Sequence, residues 1–237
     1  DSIAFVGEVY NPEPASGGCQ AEKLESALAR GPELLKHRNR AVSSKDYEWL
    51  AREAYPNIAK VTCIPNRNAY MEKEIGAMTL VILPKEGQQG SSTFPELKKQ
   101  VERFILARAS SLVAFPERLQ VIEPVYMEIS VSAVVAVEGM DAVVQTEIQA
   151  IDKLNRFLDP LTGNFDNKGW SIGGQIHPSV FYALLKSIRT ISHVEKLYMT
   201  VFKIEDGERV ELDVNRLPSL PHSIIVSGKH KVVVNVL

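Results

Sequence analysis

The sequence is poor in cysteine, has no surplus of positive charge and contains no long apolar run, and each shortage removes a class of function. Cys19 and Cys63 are the only cysteines in 237 residues. Two thiolates alone cannot complete a tetrahedral structural zinc site. One disulfide is conceivable, but nothing else points to an oxidising compartment, so free, partly buried thiols are expected. Lys and Arg number 27 against 29 Asp and Glu, a net charge of -2. Phosphate contacts need a basic excess, so no nucleic-acid partner is expected. The one basic run, Lys36-His37-Arg38-Asn39-Arg40, reads as a solvated helix end. No apolar stretch approaches the roughly 20 residues that cross a bilayer, and no secretory leader pattern is present. Synthesis in the cytoplasm without a signal peptide, and no membrane insertion, are therefore expected. The chain starts Asp1-Ser2-Ile3 with no initiator Met, as a piece of a longer polypeptide would.

Legible catalytic motifs are also missing. His37, His177, His193, His222 and His230 are scattered, and no two have the i, i+4 spacing of a helical metal pair. Asn164-Phe165-Asp166-Asn167-Lys168-Gly169 has the oxygen-rich look of a calcium loop. The bidentate Glu that such a loop needs six residues later is replaced by neutral Gln175, so a simple turn is expected. No phosphate-cradling glycine loop and no serine elbow occur. The expectation is a non-enzyme with no cofactor, no metal and no small-molecule substrate.

What is present is hydrophobic patterning of ordinary richness, 45% apolar and 24% charged residues. Residues 1–18 are punctuated by proline and glycine and read as irregular. Ala21, Leu24, Ala27 and Leu28 then form a narrow helical stripe, which Gly31-Pro32 is expected to break, with Pro32 opening a second short helix. Ser43 or Ser44 caps a helix whose first turn carries Asp46 and Glu48. Strands are expected over 58–64 and 77–83, with 65–75 as a loop between them. A Gly/Ser linker (87–92), a helix from Pro95 and a strand over 118–122 follow.

After Glu123-Pro124, residues 126–137 alternate cleanly: Met127, Ile129, Val131, Ala133, Val135 and Val137 share one side. A helix follows with Val144, Ile148, Ile151, Leu154 and Leu158 on its expected buried face. A glycine-rich loop (159–175) leads to a helix carrying Phe181, Leu184, Leu185 and Ile188. A strand over 194–204, a turn at Asp206-Gly207 and a C-terminal strand (232–237) complete the pattern. Left as a bare edge, that last strand would promote aggregation, so it must be covered. The fold class is α+β: two small domains, α-β-β-α-β then β-α-α-β-β, behind a helical arm. The expected boundaries are 1–42, 43–123 and 124–237.

Several of these segments resemble one family in the order in which they occur. Gly31-Pro32-Glu33-Leu34-Leu35-Lys36-His37-Arg38-Asn39-Arg40-Ala41-Val42-Ser43-Ser44-Lys45-Asp46-Tyr47-Glu48 and Ala54-Tyr55-Pro56-Asn57-Ile58-Ala59-Lys60-Val61 resemble the N-terminal signature of baseplate J-like proteins. Phe157-Leu158-Asp159-Pro160-Leu161-Thr162-Gly163, Gly169-Trp170-Ser171-Ile172-Gly173, Ser179-Val180-Phe181-Tyr182-Ala183-Leu184-Leu185 and Ile191-Ser192-His193-Val194 resemble its later segments. The likeness runs from about Asn11 to Phe202 and is nearest to large baseplate assembly proteins of extracellular contractile injection systems. Two departures stand out: Ser43-Ser44 where the family has Val-Thr, and the Gly174–Pro178 entry to the following helix.

The resemblance implies a structural wedge subunit of a contractile, phage-tail-like particle, with no catalytic residues. It implies other wedge proteins and a second copy of the chain as partners. The candidate interface residues are Ala21, Leu24, Ala27, Leu28, Arg38, Arg40 and Trp170. Two readings of the helical arm stay open: its stripe packs on a partner helix, or it folds back onto its own domain. Trp170 likewise either anchors an interface or plugs its own loop. Two other classes of function remain on residues alone. One is a small metal-dependent hydrolase, which requires a deep pocket of perturbed titrating groups. The other is a receptor- or carbohydrate-binding module, with Trp49, Tyr55 and Trp170 as its aromatic candidates.

Overall fold

The computed structural model describes residues 24–85, 93–113, 115, 117–205 and 207–237. The irregular start, Ala21, Cys19, Asp206 and the Gly/Ser linker lie outside the described residues. The fold is α+β.

Helix α1 (Leu24–His37) runs through Pro32 without a break. This corrects the expected interruption. The residue before a proline normally clashes with its ring in helical conformation, but Gly31 has no side chain to clash. The helix ends at Arg38 and Asn39, both at positive φ, and the His37 Nδ1 accepts the Asn39 N–H at 3.0 Å. Helix α2 (Ser44–Ala54) begins with a reciprocal cap. The Ser43 hydroxyl accepts the Asp46 N–H, while the Asp46 carboxylate accepts the Ser43 N–H at 2.7 Å. Burial works to raise the Asp46 carboxyl, but the hydrogen bonds from Ser43 and Val42 outweigh it and hold the group below its usual range.

The first sheet has the order β1 (Ile58–Arg67), β2 (Lys73–Pro84), β3 (Leu119–Ile122), the first pair antiparallel and the second parallel. Pro65 lies inside β1, paired with Met78, where a loop was expected. Among the described strands β1 is an edge, the position that tolerates a missing N–H. Asn66 at φ 57 forms the irregularity that follows. Strand β2 divides its side chains by period two. Leu80 and Ile82 join a core with Tyr47 and Leu50 of α2 and Leu97, Val101 and Ile105 of α3 (Phe94–Leu106). Val81 and Leu83 point the other way, into a second core that contains Tyr126. A two-faced strand of this kind couples the two sheets through apolar contact.

The second sheet is built around β4 (Val125–Val137), whose expected alternation holds: Ile129, Val131, Ala133 and Val135 are all buried. The antiparallel strand β5 (His193–Glu205) lies on one side, followed by β6 (Glu208–Leu212) across a turn with Gly207 at φ 82. Strands β7 (Ser223–Ser227) and β8 (Lys231–Val236) lie on the other side, both parallel to β4 and continuing one line after a short gap. The β-α-α-β-β expectation therefore lacked β6 and β7. Strand β6 reads as charged and β7 is only five residues long, so neither alternates long enough to register.

Helices α4 (Val143–Phe157) and α5 (Ser179–Lys186) belong with this second core. Of the face expected on α4, Leu154 and Leu158 are buried and Ile151 packs on the core, but the first half differs. Thr146, Ala150, Leu154 and Phe157 are buried, whereas Val144 and Ile148 stand in solvent. Thr146 can lie inside because its hydroxyl bonds the Thr190 hydroxyl at 2.7 Å.

Candidate interaction surface

The 159–175 loop is built by carbonyls and one carboxylate. Asp159 accepts the N–H groups of Leu161 at 2.8 Å and Thr162 at 2.6 Å, and the Thr162 hydroxyl at 2.9 Å. Burial pushes its pKa up, but these bonds and the Lys60 charge leave it below the usual carboxylate range. Gly163 and Gly169 let the chain fold back on itself, the Gly169 N–H reaching the Gly163 carbonyl at 2.9 Å. Trp170 closes the loop from within. Its indole N–H donates to the Phe157 carbonyl at 2.9 Å, its ring meets Phe157 edge-on at 5.4 Å, and only 7% of it is exposed. Trp170 plugs its own core and presents little surface to a partner.

Lys60 on β1 binds this loop to the first sheet, donating to the carbonyls of Trp170 at 2.6 Å and Lys168 at 2.9 Å. Burial lowers its ammonium's pKa, opposed by the charges of Asp166 and Asp159. The Asn164–Gly169 stretch is a turn with Asn164, Asn167 and Gly169 at positive φ, and Asp166 accepts the Lys168 N–H.

Among the described residues, the charged side chains Asp152, Lys153, Arg156 and Arg189 line one open cleft beside α4. Among the described residues, no three His, Cys, Asp or Glu side chains gather as metal ligands would. Cys63 is buried, its thiol pushed up to about 12 by burial and the Glu48 charge, which makes it a poor nucleophile. The cavity beside Met127, Ile129, Val201 and Ile225, about 230 Å³, has His177 as its only ionisable lining residue.

Ser227 and His230 stand 2.9 Å apart and at first sight form a nucleophile–base pair. The hydrogen bonds fix the opposite polarity. The Val131 N–H donates to His230 Nδ1 at 3.0 Å, so the proton of the neutral ring sits on Nε2 and points at Ser227, whose hydroxyl donates to Asn155 Oδ1 at 2.8 Å. An imidazole in this tautomer cannot take the serine proton.

The exposed apolar groups on α1 are arranged as a row. Leu24, Leu28 and Leu35 are 74%, 66% and 80% exposed, and their spacing of four and seven residues puts them on one stripe with Gly31 between. Another flank, with Leu34 and the buried His37, lines a cleft with Trp49 and Arg52 of α2. The leucine row faces away from that cleft and stands in solvent. Of the expected interface residues, Leu24, Leu28, Arg38 and Arg40 are exposed, Ala27 is half-buried, and Ala21 lies outside the described residues. Leu35 was not read from the sequence, because a break at Gly31-Pro32 would have put it on another helix. Tyr55 packs against the first core and Trp49 lines the cleft beside Leu34 and His37, so they form no platform with the buried Trp170.

This arrangement of two sheets behind an arm has a solved counterpart. The chain shares its fold with a protein of the anti-feeding prophage (AFP) baseplate, known from a six-fold symmetrised cryo-EM structure. The TM-score is 0.57 at 14% sequence identity, and the match covers 87% of this chain. It covers 42% of the AFP baseplate chain, so the chain spans less than half the length of that protein. The sequence matches no protein-family model and no curated protein.

Proposed function

We propose that this chain is a structural subunit of the baseplate of a contractile, phage-tail-like injection particle. The observation that carries the reading is its fold likeness to a protein of the AFP baseplate over most of its length. The exposed leucine row on α1 supports it, because an amphipathic helix with a free apolar stripe is suited to helix-against-helix assembly. In its finer form the proposal makes the chain a wedge protein of the baseplate J-like kind. Its partners would be other wedge proteins and a second copy of itself, and 1–42, 43–123 and 124–237 would act as arm and two domains. That it breaks no bonds belongs to the same proposal, supported by the inert Cys63 thiol and by the His230 tautomer that leaves Ser227 unactivated.

Immunogold labelling of a tagged copy in purified particles tests the reading. Label confined to the sheath end that carries the spike is expected. Label along the sheath, or intact particles with none, would contradict it.

A further inference from the structure

The edge formed by β7 and β8 is interrupted where the chain runs from Ser227 to Lys231. Among the described residues both strands pair with β4 alone, through five and six residue pairs. At the gap the Gly228 N–H still reaches the Ile129 carbonyl at 2.9 Å. Gly228 passes so close to β4 that a β-carbon there would lie 2.8 Å from a Glu128 carboxylate oxygen. The next inward-facing amide on β4, that of Val131, has no strand carbonyl opposite it. The His230 imidazole takes the place of that carbonyl, with Nδ1 as acceptor, and its Nε2–H continues through Ser227 to Asn155 on α4. One side chain thus joins the end of β7, the start of β8, β4 and α4.

We propose that His230 is a clasp that holds the β7–β8 edge on β4 at neutral pH and releases it on protonation. A proton added to Nδ1 sets an N–H against the Val131 N–H, two donors at 3.0 Å, and leaves the Gly228–Ile129 hydrogen bond to hold the gap without the side chain. Burial alone lowers the proton affinity of His230 from the ordinary value of 6.5. The charged groups on the surrounding elements are Glu128 on β4, already paired with Arg209, Asp152, Lys153 and Arg156 on α4, and Lys229 and Lys231 on its own segment. None of them compensates for burial. The open form, with imidazole in water, therefore binds the proton first as the pH falls. The clasp is fully closed above about 6.5 and weakens below it, toward the depressed value of the closed form.

A second histidine, buried where His230 is half-buried, stands at the other end of β7. His222 accepts the Val125 N–H through its carbonyl at 3.0 Å. Its ring is driven toward the neutral form by burial, with Glu205 opposing and Lys203 assisting. It ties a different amide, so the two ends can be distinguished.

Residue-resolved amide exchange on the full chain, expressed as protection relative to the unfolded rate, tests the clasp. From pH 7.5 to 5, protection at Val131 and in β8 is expected to fall by up to about tenfold per pH unit below 6.5, while β5 amides facing β4 keep theirs. His230→Asn puts an acceptor where Nδ1 stood and removes the titration, so the fall at Val131 should vanish. Nitrogen-15 shifts of the wild-type ring give a readout that does not depend on the variant folding. They should show the Nε2–H tautomer and a midpoint below 6.5. An Nδ1–H tautomer, a midpoint at or above 6.5, or an equal fall at Val131 in His230→Asn would each overturn the proposal.

Discussion

Gly169→Ala is expected to destabilise the protein by about 2 to 6 kcal/mol, a large fraction of the roughly 5 to 15 kcal/mol by which an ordinary protein is stable. Two independent costs add. Gly169 sits at φ 70, a conformation that costs a residue with a side chain on the order of 1 to 3 kcal/mol. A β-carbon there would overlap the Pro160 carbonyl and stand 2.5 Å from the Leu161 carbonyl carbon. Both are backbone, so relief means moving the loop and adds roughly 1 to 3 kcal/mol of overpacking. The displaced segment includes the Trp170 N–H, bonded to the Pro160 carbonyl, and the indole that fills the space beside Phe157 and Phe181. Urea unfolding should show a lower midpoint at unchanged slope. A change below about 1 kcal/mol would mean that the loop is far more compliant than its carbonyl contacts imply.

Leu28→Glu with Leu35→Lys should leave stability within about 0.5 kcal/mol per site, yet weaken association with the proposed baseplate partners by roughly 100-fold or more. Both leucines are exposed in the free chain, so their removal takes nothing from its core. Glu nearer the start and Lys nearer the end of α1 suit the helix dipole and keep good helix propensity. In a helix interface each leucine would bury an apolar side chain worth about 1.5 to 3 kcal/mol. Losing both corresponds to an affinity drop of roughly 100-fold or more, before the charges' desolvation is counted. Isothermal titration against the partner, with thermal melting of each protein alone, separates the two effects. Equal affinity in the variant would move the interface away from α1.

Much of this architecture was legible because local chemistry and tertiary structure agree. The Ser43–Asp46 cap, the alternation of β4, and the Phe181, Leu184 and Leu185 face of α5 all appear where the sequence puts them. The misreadings occur where a neighbour decides. Pro65 is tolerated because β1 is an edge among the described strands, and pairing partners cannot be read from β1 itself. Val144 and Ile148 look like core residues, but α4 presents Thr146 and Ala150 inward, and Thr146 needs the hydroxyl of Thr190, 44 residues away.

The surface was harder to read than the fold. Leu24 and Leu28 were visible as a stripe, but whether they meet their own domain or solvent depends on which side of α1 faces α2, and that is the side of the buried His37. The uninterrupted passage through Gly31-Pro32 then adds Leu35 to the row. His230 carried no signal at all, because its role is to stand in for a backbone carbonyl that β7 and β8 leave out.

The central claim is that this molecule works by joining other proteins through the free side of α1. The most direct measurement is its mass by light scattering, first alone and then mixed with the baseplate proteins proposed as its partners. A discrete heavier complex containing the chain, lost with Leu28→Glu and Leu35→Lys, is the predicted result. A chain that keeps the mass of a single copy in every mixture would contradict it.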